Sequence, residues 1–427
     1  MEIYVVKYGD NIESIANKYG ITVERLITDN GLINPQSLVI GQALVILKPQ
    51  KTYTIIPGDT LESIAMANNI SLMQLIRNNP FLYDREYIYP GERLVIQYNT
   101  IKDIEVNGYS SSYISKDALY RALPYLTYIS ICNYQFKSDS HIISFGDDTE
   151  IIKEAKVYST IPLLMISAIS PIGEIDVTYL YEILLDNEVN DTIIDEILNL
   201  VRSKGYMGVN LLVSLFTYYN QHLYLNIFQK LSVALRNENY IFMITISPDY
   251  NLQKEYDFYS ISLLVDRIIF LQNIWLKQHL PPAPISNISL IKPFIDNVLS
   301  EVSSEYLSLG KPLIGYDWVI PFKDNTTANL MSLNSTILMA DEKNAIIHFD
   351  EESQTPFFEY TQPFLGTSNN HKVWFIDARS IKALDKVIIE HNLIGTGVWN
   401  ITSYNQQLFS ITNATYNIVK KTIPIKE

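Results

Sequence analysis

Hydrophobic and polar positions change their spacing twice within the first stretch of the chain. A short alternating run from Tyr4 ends at Gly9-Asp10, a turn dipeptide whose aspartate is a candidate cap for a following helix. The next apolar positions have helical spacing; they are Ile12, Ile15 and Ala16. A second helical stretch ends near Asn30, and residues 38–46 read as a turn and a strand. The predicted unit is βααβ.

The same pattern returns in residues 53–96. Gly58-Asp59 matches Gly9-Asp10, and Ser-Ile-Ala follows in both copies. The second copy again contains two helical stretches, the later one ending at Asn78-Asn79-Pro80, and a final strand over 89–96. We therefore expect two small domains, module 1 (residues 1–49) and module 2 (residues 50–98).

From Ile104 onward, apolar runs alternate with amphipathic helical stretches such as 191–203. Eight runs are candidate strands: Ile104–Tyr109, Leu126–Asn133, Ile161–Ser167, Gly208–Phe216, Tyr240–Ser247, Ile268–Gln272, Leu313–Tyr316 and Gly395–Trp399. This alternation predicts an α/β fold in which residues 101–427 form a (β/α)8 barrel. A stretch from about 322 to 372 breaks the alternation and reads as a small α+β insertion.

Composition narrows the classes of partner. The formal charge is -14, from 32 basic and 46 acidic residues, and such a field repels phosphate backbones. The first residues do not resemble a signal peptide, and no apolar stretch reaches the roughly 20 residues of a membrane span. We expect neither a nucleic-acid nor a membrane partner. The 30 tyrosines suit sugar rings, packing or self-association equally well.

The sequence shows no motif that is typical of a metal site or a cofactor site. The six histidines are scattered without metal-ligand spacing, and phosphate-binding glycine loops are absent. The single cysteine, Cys132, has no nearby histidine and is expected to be a small buried residue. We expect no metal and no cofactor.

The repeated unit resembles the LysM family in its strand before Gly-Asp, its Ser-Ile-Ala helix and its final Gly-Gln/Glu-x-Leu-x-Ile strand. The resemblance implies binding of peptidoglycan or another N-acetylglucosamine-containing glycan, in a shallow groove between the first turn and the loop after the second helix. Carried onto this chain, the groove residues are Gly9, Asp10, Asn11, Asn30, Gly58, Asp59, Thr60 and Asn79. The same residues could serve only the turns and caps. Two tethered modules favour an insoluble repeating polymer.

The rest of the chain resembles the family eighteen glycoside hydrolases, in particular the LysM-bearing spore cortex-lytic N-acetylglucosaminidases. The strings that carry the resemblance begin at Tyr125 (YLTYI), Lys204 (KGYMGVN), Gly315 (GYDW), Asp350 (DEESQTPFF) and Val373 (VWFIDARS). The resemblance implies a barrel whose fourth strand reads Gly-x-Asn/Asp-x-Asp-x-Glu. In that pattern the Glu is the general acid and the Asp orients the substrate acetamide.

This chain departs from the pattern at the positions that carry the chemistry. Leu212 and Ser214 stand where the family has Asp and Glu, and Asn273 replaces a tyrosine of the sixth strand. A serine hydroxyl is no acid near neutral pH, and loss of a general acid costs roughly two to four orders of magnitude in rate. These groups act as a unit. The sequence therefore predicts a catalytically inactive barrel.

Two alternatives stay open. Another carboxylate could supply the acid, with Glu105, Asp249 and Asp317 as the candidates, although Glu105 is expected to pair near the barrel floor. The barrel could instead act as a chitinase-like lectin. Its sugar platform would consist of Tyr316, Asp317, Trp318 and Trp399, unless these side chains merely fill the former site.

The main hypothesis is a glycan-binding structural or assembly protein of the bacterial spore envelope, in the cortex or coat region, rather than an enzyme. It would be made in the mother cell without a signal peptide, and it could associate with itself. The rival hypotheses are an active cortex-lytic N-acetylglucosaminidase with displaced acids, and the lectin.

Overall fold

The computed structural model describes the chain apart from residues 84, 86, 138–140, 168–176, 214–215, 249–255, 273–276, 324–325, 365–366 and 423–427.

Both N-terminal modules fold as the predicted βααβ unit, each with its own small apolar core. Module 1 consists of β1 (Glu2–Val5), α1 (Ile12–Tyr19), α2 (Val23–Asn30) and β2 (Ala43–Ile46). Module 2 consists of β3 (Lys51–Thr54), α3 (Leu61–Ala67), α4 (Leu72–Asn78) and β4 (Arg93–Gln97), with a 3-10 turn at Pro80–Leu82. The two strands of each module pair antiparallel.

The Gly-Asp turns are closed differently from the prediction. Asp10 does not cap α1; its carboxylate accepts hydrogen bonds from the Tyr4 hydroxyl and the Lys7 amide, both at 2.7 Å. Asn11 is the cap, because its side chain accepts from the Ser14 amide at 2.8 Å. The second copy repeats these contacts with Tyr53, Ile56, Asp59, Thr60 and Ser63. The aspartate thus fixes the turn, and the next residue starts the helix.

The predicted barrel is confirmed: eight parallel strands close on themselves, because β5 pairs with both β6 and β18. The strands before the insertion are β5 (Lys102–Ser111), β6 (Tyr128–Lys137), β7 (His141–Ser144), β8 (Ile161–Ser167), β9 (Gly208–Val213), β10 (Ile241–Ile246), β11 (Arg267–Phe270) and β12 (Leu307–Pro312). Strand β7 lies outside the barrel as an antiparallel partner of β6. The helices are α5 (Lys116–Ala122), α6 (Thr149–Val157), α7 (Val177–Leu185), α8 (Asn187–Lys204), α9 (Gln221–Arg236), α10 (Phe258–Leu264) and α11 (Ile288–Val298), with 3-10 turns at Leu123–Tyr125, Lys277–His279 and Ser304–Tyr306.

An antiparallel sheet is inserted between the last two barrel strands. Its elements are β13 (Ile314–Ile320), β14 (Asn329–Ser332), α12 (Leu333–Glu342), β15 (His348–Asp350), β16 (Thr355–Phe364) and β17 (Thr367–Phe375). The sheet thus begins and ends outside the predicted limits of about 322 and 372. The chain then returns through α13 (Ala378–Glu390), β18 (Gly395–Trp399), α14 (Gln406–Thr415) and β19 (Tyr416–Ile418).

The seventh barrel strand is not the predicted one. Residues 313–316 belong mostly to β13, whereas the barrel strand is β12, with the sequence Leu-Ser-Leu-Gly-Lys-Pro. Gly, Lys and Pro are typical of turns rather than buried strands. Lys311 is buried here because its ammonium lies 2.6 Å from the Asp385 carboxylate of α13, which also accepts from the Tyr416 hydroxyl at 2.8 Å. The partner is 74 residues away, so local sequence carries no sign of the pair.

Module 1 is fastened to the barrel through the end of its α2–β2 connection. Val39 and Ala43 belong to the same buried apolar cluster as the barrel. Gly41 lies against the insertion so closely that an added Cβ would be 1.9 Å from the Ile347 carbonyl oxygen. The Arg379 guanidinium donates to the Gly41 carbonyl at 3.1 Å. This contact leaves no room for a side chain at position 41.

Module 2 is fastened mainly through a helix. Arg77 of α4 donates to the Asn413 side chain at 3.1 Å, and the Asn413 amide donates to Asn78 at 2.8 Å. The Tyr125 hydroxyl donates to the Arg77 carbonyl at 2.9 Å. Module 1 also contacts α14 with the end of α2, because the Gln407 amide donates to the Asn30 oxygen and to the Ala43 carbonyl, both at 2.9 Å. The modules therefore share the contact of their second helix with α14, and module 1 adds the contact of its loop.

Among the described residues, no helix is both long and apolar enough to cross a membrane.

Replacing Lys311 by Met should lower the free energy of unfolding by about 3–5 kcal/mol, because it leaves the buried Asp385 carboxylate without its cation. Urea unfolding followed by circular dichroism measures the change. The exposed Lys382→Met variant is the matched control and should stay within about 0.5 kcal/mol of the unmodified chain. Equal stability of the two variants would contradict the role of the ion pair.

Asp148 provides a pH-dependent test of packing outside the barrel. Burial alone would raise the pKa of this carboxyl. The hydroxyls of Tyr134 and Tyr206, both at 2.6 Å, the Asn133 amide and the Lys204 ammonium outweigh that effect and hold its pKa below the ordinary value. A lowered pKa stabilises the fold above the unfolded-state pKa, and this contribution disappears as the pH falls through the folded-state pKa.

The Asp148→Asn variant should therefore be less stable at pH 7 by about 2 kcal/mol, since the bonds to a charged acceptor are lost. The difference from the unmodified chain should shrink as the pH falls below about 4. Thermal unfolding at several pH values measures both effects, with the exposed Asp195→Asn as control. A stability difference that does not change with pH would argue against the charged form.

Candidate functional site

The floor of the barrel holds an ion cluster. Arg267 donates to both carboxylate oxygens of Glu105, at 2.7 and 3.0 Å, and the Lys421 ammonium lies 2.7 Å from the same group. Burial raises the pKa of Glu105, but the two cations outweigh it and the pKa lies below the ordinary value. These residues lie at the amino ends of the strands. Glu105 is therefore a structural anchor, as the sequence suggested, and is no candidate for the displaced acid.

Above the floor, a chain of neutral hydrogen bonds crosses the barrel interior. The Ser130 hydroxyl donates to Asn107 at 2.8 Å and accepts from the Asn210 amide at 2.9 Å. The Thr245 hydroxyl donates to Asn210 at 2.9 Å and lies 2.7 Å from the Tyr109 hydroxyl. Asn210 is the polar residue that this chain shares with the family's fourth-strand pattern. In this chain of hydrogen bonds Asn210 helps to connect strands β5, β6, β9 and β10, and its side chain is not titratable.

The next layer toward the carboxyl ends of the strands is apolar. It contains Tyr109, Met165, Leu212 and Ile269, with Cys132 and Trp399 partly buried against it. Leu212, in the family's aspartate position, is 5% exposed. The ring centroids of Tyr109 and Trp399 are 5.1 Å apart. Ser214 and Asn273, the other two substituted positions, lie outside the described residues.

Cys132 cannot act as a thiolate in this layer. Burial raises the pKa of its thiol to about 12, and its sulfur lies 3.0 Å from the Met165 sulfur. The residue is partly buried and packs as a small apolar group, as its sequence context suggested.

The expected sugar platform is only partly accessible. Tyr316 and Trp318 are each 1% exposed, and the Trp318 indole donates to the Leu280 carbonyl at 2.9 Å. Neither ring therefore offers a face on which a sugar could stack. Trp399 keeps some exposure. Among these rings the geometry leaves Trp399 as the one that could contact a ligand in the barrel mouth, which gives the lectin alternative little support.

Asp317 lies on the opposite face of the inserted sheet from its two aromatic neighbours. It shares a face with Gly315, at which an added Cβ would touch Thr336 of α12. The Asp317 carboxylate accepts from the Tyr360 hydroxyl at 2.8 Å and lies 2.9 Å from the His371 Nδ1. Both partners belong to the inserted sheet, so Asp317 is held there and is not placed to protonate a glycosidic oxygen.

The expected groove residues of the modules divide into two classes. Gly9 and Gly58 adopt positive φ angles of 84° and 93°, and open space surrounds both, so their turns are accessible. Asn79 is buried: its amide donates to the Leu75 and Val95 carbonyls and its oxygen accepts from the Val95 amide, and Asn30 does the same in module 1. The two asparagines hold helix and strand together, and their side chains are not free to bind glycan.

Two accessible aromatic residues escaped the sequence analysis. Tyr87 and Tyr89 are exposed in the loop between α4 and β4. Counting back from Gly91 and Gly41 aligns them with Ser37 and Val39 of module 1. The sequence alone could have pointed to these two residues, because the two copies of one unit differ at these positions. The described residues also contain no cluster of three or more His, Cys, Asp or Glu that could hold a metal ion.

Known families and relatives match both parts of this architecture. The LysM domain family matches residues 4–47 and 53–97, and the glycosyl hydrolases family 18 matches residues 106–403. The cortical fragment-lytic enzyme of Bacillus subtilis (strain 168) is 29% identical over 99% of this chain and 100% of its own length. The enzyme of the same name from Bacillus anthracis is also 29% identical, over 99% of this chain and 100% of its own length.

A solved structure also matches nearly the whole chain. The spore cortex-lytic enzyme SleL of Bacillus cereus superposes with a TM-score of 0.79 and 26% identity, and the match covers 98% of each chain. The arrangement of modules, barrel and insertion is therefore shared with a relative that carries the same domains.

These comparisons correct the prediction that the chain is not an enzyme. The full-length relatives are named as lytic enzymes, and the matching family consists of glycosyl hydrolases. The prediction relied on the substitutions at Leu212, Ser214 and Asn273, and it ranked an enzyme with a displaced acid as the alternative. From residue 106 to residue 403 the chain belongs to the glycosyl hydrolases of family 18, and it carries two LysM domains ahead of that barrel.

Proposed function

We propose that this chain is a glycoside hydrolase that acts on the peptidoglycan of the bacterial spore cortex and that its LysM modules bring it to that polymer. The observation that carries the proposal is the full-length likeness to SleL, with 98% of each chain aligned at a TM-score of 0.79. That likeness includes both modules and the insertion, and not the barrel alone. Peptidoglycan or a related N-acetylglucosamine-containing glycan is the partner that such modules suit.

The proposal requires a proton donor outside the fourth strand. The sequence from Gly205 to Asn220 contains no Asp or Glu, so that strand cannot supply an acid. Of the three carboxylates considered as replacements, Glu105 is held on the floor by Arg267, and Asp317 is held within the inserted sheet by Tyr360. Asp249 remains, and it lies outside the described residues. We assign it the role of general acid toward the glycosidic oxygen.

The interior of the barrel is compatible with substrate-assisted chemistry. In that route the substrate's own acetamide is the nucleophile, so the protein needs one acid and a surface that orients the sugar. Trp399, which keeps some exposure beside the apolar layer around Leu212, offers such a surface at the carboxyl ends of the strands, where (β/α)8 enzymes place their sites.

Incubation of purified spore cortex with the full chain should release soluble muropeptides and new reducing ends. Asp249→Asn should lower the initial rate by roughly 10²–10⁴-fold, since the proton donor is lost, while binding to the same cortex persists. The exposed Asp195→Asn is the control and should release fragments at the unmodified rate.

Cortex sedimentation and fragment release are separate measurements in this experiment. Binding without release above a buffer blank would overturn the hydrolase function. Release that Asp249→Asn leaves unchanged would overturn the assignment of that residue alone.

A further inference from the structure

The two modules are copies in sequence but not in their surroundings. The module 1 loop, residues 31–41, and the module 2 loop, residues 80–91, occupy the same place in the βααβ unit. Each ends in a glycine with positive φ, 86° at Gly41 and 93° at Gly91. Open space surrounds Gly91, whereas Gly41 is pressed against Ile347 of the insertion. The two loops also differ at other equivalent positions.

The second half of the module 1 loop packs against the barrel and its insertion. Val39 is 5% exposed and belongs to the barrel's apolar cluster. The Ser37 hydroxyl donates to the Asp341 carboxylate at 2.5 Å, and the Asn34 amide donates to the other oxygen of that carboxylate at 3.1 Å. Both side chains therefore hydrogen-bond to α12, so this part of the module 1 loop forms an interface within the chain.

At the equivalent positions, the module 2 loop presents aromatic rings to solvent. Tyr87, which replaces Ser37, is 69% exposed, and Tyr89, which replaces Val39, is 60% exposed. Tyr83, near the start of the loop, is tied to the barrel by a hydrogen bond from its hydroxyl to Asp117. The loop is therefore anchored near one end, while the rings of Tyr87 and Tyr89 are exposed to solvent.

The exposed segment is also held in shape from within. One oxygen of the Glu92 carboxylate accepts from the Tyr89 amide at 3.0 Å and the other from the Arg85 guanidinium at 2.7 Å. The Arg85 guanidinium lies 5.0 Å from the centre of the Phe81 ring. In module 1 Gln42 replaces Glu92 and accepts from the Val39 amide at 3.1 Å. A prearranged loop loses little conformational entropy when it binds.

We propose that module 2 alone contacts glycan, with Tyr87 and Tyr89 as the surface on which N-acetylated hexose rings stack, and that module 1 has become a fastener between the modules and the barrel. The proposal deepens the proposed function, since it rests on the binding of glycan by the LysM modules. Tyrosine suits this ligand, because its ring covers the apolar C–H face of a sugar while its hydroxyl reaches the polar edge. A single working module gains no avidity from its tethered copy.

The test uses the full chain, N-acetylglucosamine hexamer as a soluble probe and purified cortex as an insoluble one. The double variant Tyr87→Ala/Tyr89→Ala should weaken binding of the hexamer about tenfold or more, because both ring contacts are lost. Tyr8→Ala is the matched control, since Tyr8 is 92% exposed on the accessible turn of module 1. It should change affinity less than twofold. Calorimetric titration and cortex sedimentation provide the two measurements.

Each outcome bears on the proposal. Weaker binding by Tyr8→Ala, alone or together with the double variant, would mean that module 1 contacts glycan and would overturn the division between modules. Binding by the double variant at full strength would overturn the tyrosine surface. If the unmodified chain bound neither probe, the glycan binding itself would fail. Loss of fragment release with binding intact would contradict the hydrolase function and leave this proposal supported by its own titration.

Discussion

Strand β5 closes the barrel, and the rest of the structure depends on this closure. It hydrogen-bonds to β6 on one side and β18 on the other, which closes the barrel, and it also pairs with the C-terminal β19. Glu105, within this strand, holds Arg267 and Lys421 on the floor. An open barrel would leave two strand edges with unsatisfied backbone groups. Closure brings the carboxyl ends of eight strands to one rim, where the mouth and the insertion lie.

The layers of side chains inside the barrel limit the chemistry that it can perform. Among the described residues of the barrel interior, the charged groups lie on the floor, neutral amides and hydroxyls fill the middle, and Leu212 packs among apolar side chains above them. Burying an isolated carboxylate in that upper layer would be costly, so the proton donor of the proposed hydrolase is expected at the rim. The relatives are named as cortical fragment-lytic and spore cortex-lytic enzymes, and this chain shares their fold without an Asp or Glu on its fourth strand.

The two modules are attached to the barrel in different ways. Module 1 contacts the barrel with the end of α2, through Asn30, and also with the loop that borders its groove, where Val39 is buried. Module 2 reaches it mainly with α4, through Arg77, so that the segment with Tyr87 and Tyr89 stays exposed. The two copies of one fold thus differ in their docking, because only module 1 adds its loop to the contact made by the second helix.

The sequence by itself determined the repeat, the alternation that predicts a closed barrel and the substitution at Leu212, because each is a property of neighbouring residues and their spacing. The tertiary structure alone decided which residues serve the fold and which stay accessible. Lys311 lies in a barrel strand because of an aspartate 74 residues away, and Asn79 is occupied by backbone groups of another element. Val39 and Tyr89 hold equivalent positions, yet one is buried and the other exposed. Contacts between segments far apart in the chain set these outcomes, and local periodicity does not contain them.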